Sequence, residues 1–321
     1  MPSDRSFWKT RLAPLRFLIA WLVYVLLRSL VLLPFRWQIA LGRSLGSTAR
    51  RLLPDRKLTV TRNLEVCFPE LSDAEREALA KDHFEALGAS MFEMAMGWFG
   101  SLERLRVMVR IDGLEHLEDA LARGRGVILY SAHFTTMEIG FPVARPLCRR
   151  LTGMYKTQRN PLMNKIMTRA RQRSADLQIE KGGVRQMIKE LAGNAAVFYA
   201  ADQSFTGKGA ALIPFFGEPA MTNTAISRLA HMSGATVLPY FSRRLPDELA
   251  YVLHFGAPLE NFPSDDAVVD TRRLVARLED FIRTCPEQYW WVHQRFKGRP
   301  APYTDIYGPQ RPDGMEKSVR S

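Results

Sequence analysis

The run Tyr130-Ser131-Ala132-His133-Phe134-Thr135-Thr136-Met137-Glu138 holds a histidine and a carboxylate five positions apart, the residue types most used for proton transfer. Five residues are about 1.4 turns of helix, so a helix starting just after His133 would let the Glu138 carboxylate reach back to the imidazole. A carboxylate on one ring nitrogen fixes the tautomer and stabilises the imidazolium. The other nitrogen is then free to take a proton from an alcohol. No serine nucleophile elbow is read, so the implied reaction is direct attack of a bound hydroxyl on an activated acyl group. An H-x4-E spacing also arises by chance, and a capping or structural histidine fits the same residues. Cys67, Cys148 and Cys285 form an odd, widely spaced set with no CxxC and no Cys/His cluster. They read as core residues of a reduced compartment, with no metal site.

Stepping outward from His133, the preceding run Gly126–Ser131 (GVILYS) is a buried strand, which puts the histidine at a carboxyl end, where open α/β sheets place ligands. Further strand-like runs are 107–111, 151–155, 177–180, 195–202, 235–242 and 250–255, and helical patterns separate most of them. Pro142 should bend or shorten the helix after His133. Ser72-Asp73-Ala74-Glu75 has capping-box spacing and opens a long helix towards Trp98. The pattern predicts an α/β fold with a mixed, largely parallel sheet flanked by helices. Asp202, at a strand end, suits a contact to substrate or to a residue that touches it, or a turn cap, and Gln203 beside it could donate to a substrate oxygen. The loop 207–211, with Lys208, reads as a surface loop or a phosphate cradle.

Residues 17–35 (FLIAWLVYVLLRSLVLLPF) are apolar apart from Arg28 and would rise about 28 Å as one helix, roughly a hydrocarbon core. The expected plan is a basic segment over 1–16, an N-terminal membrane helix over 17–35 that either spans or lies in the interface, a catalytic body over 36–300 and a loose tail over 301–321. The net charge is +12, and of the 45 cations 35 are arginine. Arginine is the fork-shaped donor suited to phosphate and carboxylate, so an anionic partner is expected. Without a helix-turn-helix, zinc or RNA-binding signature, and with the cations spread along the chain, no nucleic acid is expected.

Taken in order, several stretches resemble one family. They are Arg62-Asn63-Leu64-Glu65, Cys67-Phe68-Pro69-Glu70-Leu71, His133–Glu138, Asn160-Pro161-Leu162, the Arg171/Arg173 pair, Ala201-Asp202-Gln203, Pro214-Phe215-Phe216-Gly217 and Val292–Pro300. Together they resemble the late acyltransferases of lipid A biosynthesis, the lauroyl/myristoyl transferases of Gram-negative bacteria within the glycerolipid acyltransferase superfamily. The resemblance runs from the amino-terminal apolar stretch to about Pro300. It implies transfer of an acyl chain from acyl carrier protein to the free hydroxyl of a 3-hydroxyacyl chain on a phosphorylated glycolipid acceptor, at the cytoplasmic face of the inner membrane, without a cofactor. It implies His133 as general base, Glu138 as its orienting partner and Arg171 as a third active residue, holding a phosphate or the developing oxyanion. Lys156 and Arg173 are implied substrate contacts, with Asp202 and Gln203. Lys156 stands where many relatives have arginine, which replaces a fork of donors by a point charge. The 292–300 segment, with Arg295, Lys297 and Arg299, reads as an anion-facing surface or a closing element. The same chemistry on another membrane lipid, such as a mannosylated phosphoinositide or an amino-acid lipid, and a non-enzymatic basic membrane-surface or nucleic-acid binding protein are the alternatives.

Overall fold

The computed structural model describes residues 13–155, 157–158, 160–180, 182–245 and 250–308. Lys156 therefore lies outside the described residues, as do 1–12 of the basic segment and 309–321 of the expected tail. Helices α1 (Ala13–Leu30), α2 (Phe35–Leu52), α3 (Pro54–Cys67), α4 (Asp73–Phe99) and α5 (Leu102–Met108) come first. Then β1 (Val109–Asp112), α6 (Leu114–Ala122), β2 (Val127–Ser131), α7 (Met137–Ala144), β3 (Leu151–Tyr155), α8 (Pro161–Arg171) and β4 (Leu177–Glu180) follow. The chain continues with α9 (Val184–Ala192), β5 (Ala196–Ala200), β6 (Ala210–Phe215), β7 (Glu218–Asn223) and α10 (Ala225–Ser233). It closes with β8 (Thr236–Arg244), β9 (Tyr251–Phe255) and α11 (Ala267–Thr284).

Seven strands form one sheet in the order β1-β9-β8-β2-β5-β3-β4. Every neighbouring pair is parallel except β8/β9, so the sheet is mixed and largely parallel, as the strand–helix alternation predicts. β2 is central and buried at all five positions, which is why its run carries no polar alternation. β6 and β7 form a separate hairpin, joined by Phe216 and Gly217, both at positive φ (52° and 81°), the two-residue turn that suits strand twist. The capping box at Ser72/Glu75 is formed and opens α4. Strand β1 begins later than the run 107–111 suggests, because Ser101 caps a short helix that holds Val107 on the surface.

The expected 17–35 helix is not one helix. α1 stops at Leu30, a turn covers 31–33, and Pro34 precedes a second helix whose first residue, Phe35, is buried. Among the described residues no helix is long and apolar enough to cross a membrane. Instead α2 lies hard against α4 at glycines: a Cβ on Gly46 would sit 1.9 Å from the Phe84 carbonyl oxygen. At the far end the packed chain continues past Pro300. Tyr307 is buried, donates its hydroxyl to Asn63 Oδ1 (2.6 Å) and accepts from the Phe296 amide (3.0 Å).

Candidate active site

β2 and β5 run parallel with Ser131 opposite Ala200. Two residues past that pair on each strand stand His133 and Asp202, so the register delivers both to one point above the sheet's carboxyl edge. The Asp202 carboxylate accepts from the His133 amide (3.0 Å) and from ring Nδ1 (2.7 Å). Nδ1 therefore carries the proton, and Nε2 is left as the basic nitrogen. Nε2 has no partner among the described residues, and His133 lines a cavity of about 610 Å³.

Burial works against the imidazolium, but the Asp202 charge and hydrogen bond outweigh it, and His133 titrates above its ordinary value; Arg171 pulls the other way. Burial likewise opposes the Asp202 carboxylate, yet His133 holds it below the usual carboxylate range. The loop bearing His133 is pinned by backbone. Thr135 donates to the Gln288 carbonyl (2.9 Å), Trp290 donates to the His133 carbonyl (3.0 Å), and Phe134 bridges to Tyr289.

That pinning corrects the expected place of Glu138. The chain between His133 and Thr136 is not helical, and α7 starts at Met137, so the turn that was to bring Glu138 back to the imidazole does not exist. Glu138 sits in the first turn of α7, where the helix dipole favours an anion. Its carboxylate accepts from Trp98 Nε1 (2.8 Å) and pairs with the Arg171 guanidinium through Nη2 and Nε. Gly97 makes this approach possible: a Cβ there would lie 2.2 Å from the Glu138 carbonyl oxygen. Arg171 and His133 line the same cavity. The cavity's other walls include Met137, Phe141, Met154, Met187 and Phe198, an apolar lining.

The remaining candidates separate. Gln203 and Lys208 are exposed at the same cavity. Arg173 is elsewhere: it donates to the Trp98 and Gly100 carbonyls (3.0 and 3.1 Å), satisfying orphan acceptors at the end of α4. The 292–300 segment is an internal strut rather than an anion-facing surface. Arg295 is buried and donates to the Met221 carbonyl and Thr222 Oγ1, and Arg299 pairs with Glu218. Burial pushes His293 down to about 4, and its neutral Nε2 accepts from the Ser204 amide (3.1 Å), tying down the chain after Asp202. Asn63 holds the same segment, donating to the Trp291 and His293 carbonyls.

The letters G-x-S-x-G do occur once, at Gly42-Arg43-Ser44-Leu45-Gly46. They lie inside α2 and face α4 through their glycines, so the strand-to-helix turn of a nucleophile elbow is missing. Among the described residues no three His, Cys, Asp or Glu side chains are grouped to hold a metal ion. The three cysteines are buried and free. Trp98 is the site residue that the sequence did not flag, since its role depends on the crossing of α4 and α7.

The sequence profile described as "Bacterial lipid A biosynthesis acyltransferase" matches residues 5–298. The chain is 35% identical over 297 residues to the Escherichia coli (strain K12) protein named lipid A biosynthesis lauroyltransferase, covering 91% of this chain and 96% of that one. It is 33% identical to the lipid A biosynthesis palmitoleoyltransferase of the same organism, covering 91% and 95%. It is 26% identical to the lipid A biosynthesis myristoyltransferase, also from that organism, covering 87% of each.

Proposed function

The chain belongs to the bacterial lipid A biosynthesis acyltransferase family and is an acyltransferase; from that premise we propose a general-base mechanism centred on His133. The acceptor is a hydroxyl on an acyl chain of a phosphorylated glycolipid, and the donor is a thioester carried by acyl carrier protein. His133 Nε2 takes the hydroxyl proton as the oxygen bonds to the thioester carbonyl carbon. The tetrahedral intermediate collapses, the carbon–sulfur bond breaks, and the same proton passes from Nε2 to the departing thiolate. The products are an ester and a free thiol, with no net change at the histidine. Asp202 holds the imidazolium that forms in between. Arg171, oriented by Glu138, supplies N–H donors to the carbonyl oxygen as it becomes an oxyanion. Gln203 and Lys208 contact substrate at the cavity mouth.

The single observation that carries this reading is the protonated Nδ1 held by a buried carboxylate while Nε2 is open to the cavity. Attachment to the inner membrane, with the body on the cytoplasmic side, fits the apolar faces that α1 and α2 expose, including Leu18, Leu22, Leu26, Trp37 and Leu45. These suit helices lying in the interface plane better than a span. The test is His133→Ala in a transfer assay with acyl carrier protein thioester and phosphorylated acceptor. Turnover should fall at least about 100-fold while membrane association persists. Near-normal transfer by that variant overturns the mechanism.

A further inference from the structure

Arg28 is the one charge in the apolar stretch 17–35. It lies one position after Leu27, through which α1 docks, and close to Tyr24, whose ring meets Phe99 edge-on at 5.5 Å. The Arg28 side chain faces a second cavity of about 700 Å³, formed between α1, the end of α4 and α8. Its apolar walls include Trp21, Tyr24, Trp98 and Phe99. Its charged lining is Arg28, Lys165, Arg169 and Arg173, with no carboxylate among the lining residues.

Several arginines elsewhere in the fold pair with acids, Arg43, Arg145, Arg171, Arg244 and Arg299 among them. Among the described residues the side chains of Arg28, Lys165 and Arg169 have neither an ion-pair nor a hydrogen-bond partner. Lys165, Arg169 and Arg173 repeat every four residues, so like charges stack on one face of α8 and its continuation, which costs the helix stability. The dipole at the end of α8 favours a cation in its last turn, but it does not account for Arg28 arriving from another helix. An anion on the cavity side removes the conflict, and guanidinium groups beside amphipathic rings suit a phosphate at the level of a lipid headgroup.

Resting on the acyl-transfer reading above, we propose that this cavity binds a phosphate of the glycolipid acceptor and so aligns its hydroxyl-bearing chain with His133. The two cavities share a wall. Arg171 lines one, and its neighbours Ala170 and Gln172 line the other. The Trp98 indole faces the phosphate cavity while its N–H holds Glu138 on the other side. Of the arginines that the sequence offered for a phosphate, Arg171 lines the His133 cavity in its pair with Glu138, and Arg173 is held by the Trp98 and Gly100 carbonyls. Recognition passes instead to Arg28, Lys165 and Arg169, two of which sit on an exposed helix face and one on the apolar amino-terminal helix. That shared wall favours the acceptor over a bulk phospholipid as the source of the phosphate.

The test uses the full chain in neutral-detergent micelles, with Arg28→Ala/Arg169→Ala and the conservative Arg28→Lys/Arg169→Lys. KM for the phosphorylated acceptor should rise at least about tenfold in the alanine variant, with kcat within about twofold, and the lysine variant should recover most of the loss. With the same glycolipid stripped of its phosphates, wild type and alanine variant should converge. An unchanged KM overturns the proposal. So does a variant that loses binding to vesicles containing anionic phospholipid while its micellar KM for the acceptor stays put, which assigns the cavity to bulk lipid. If the wild type transfers no acyl group, the catalytic reading fails on its own. Equilibrium binding of labelled phosphorylated glycolipid then decides the cavity: loss in the alanine variant supports it, and equal binding overturns it.

Discussion

Asp202 stands 69 positions after His133 and touches its ring, whereas Glu138 stands five positions after it and does not. Neither carboxylate lines the cavity itself, but the partner each holds, His133 for Asp202 and Arg171 for Glu138, does. The difference lies in what holds them. Asp202 is placed by strand register, at the end of β5 beside β2, and is almost wholly buried. Glu138 is placed by a helix start and by the crossing of α4, through Trp98 and Gly97. Rigid sheet edges therefore set the proposed proton-transfer pair, and helix packing sets the cation proposed to face the developing oxyanion. One carboxylate tunes a base; the other aims a cation.

The largest expected effect that separates them is on the pH profile. The proposed mechanism needs neutral His133, and Asp202 raises the value at which the ring loses its proton. The acid limb of kcat against pH should therefore lie above about 6.5, the ordinary histidine value. Asp202→Asn removes the attraction and leaves burial and Arg171, both of which favour the neutral ring. Turnover should drop at least about 100-fold because the tautomer and the imidazolium lose their support. The limb should also move to lower pH. An Asp202→Asn enzyme with wild-type turnover and an unmoved limb breaks the comparison outright.

Next in size is Glu138→Gln, which leaves Arg171 without its ion pair. Turnover should fall some tens of fold, on the order of 2 kcal/mol, with KM for the thioester little changed. Because the two side chains act as a unit, Glu138→Gln/Arg171→Ala should be no worse than the poorer single variant. Additive losses would separate the two residues and return Glu138 to a direct part in proton transfer. Trp98→Phe, which keeps a ring but removes the N–H donor, should cost less, about three- to tenfold, with the acid limb in place.

The sequence made the two halves of the site unequally legible. The buried run 126–131 announces a central strand, and a histidine at its carboxyl end follows from that alone. Asp202 is visible in the same way, at the end of 195–202. Their contact is not, because it needs the knowledge that β2 and β5 are neighbours in register, a long-range fact that no local spacing contains. Local spacing misled at Glu138 because the Phe134 bridge to Tyr289, drawn from the far end of the chain, delays the helix to Met137. The amino-terminal helix erred in a similar way: composition showed an apolar run, but Pro34 and the burial of Phe35 against the body divide it. The 292–300 cations were legible as charge but not as struts, since Thr222 and Glu218 reach them from a hairpin some seventy to eighty positions away.

The smallest expected effect concerns stability, and it sharpens the comparison without any assay of transfer. A histidine whose folded pKa is raised adds stability that is complete below its unfolded value, about 6.5, and is lost as pH rises through the folded value. Asp202, held low in the fold, adds stability above its unfolded value, about 3.9, and loses it as pH falls through the folded one. The Tm difference between wild type and Asp202→Asn should therefore be widest between about pH 4 and 6.5 and narrow on the alkaline side. It should not vanish there, because the neutral Nδ1–H still donates to the carboxylate. The Glu138 cluster contains no histidine, so Glu138→Gln should lower Tm with no matching slope across neutrality. Thermal scans of both variants at pH 5.5, 7 and 9 read this directly. A Glu138→Gln difference that tracks His133 titration would mean that the two carboxylates share the imidazole, and the division of labour drawn here between sheet edge and helix crossing would fall.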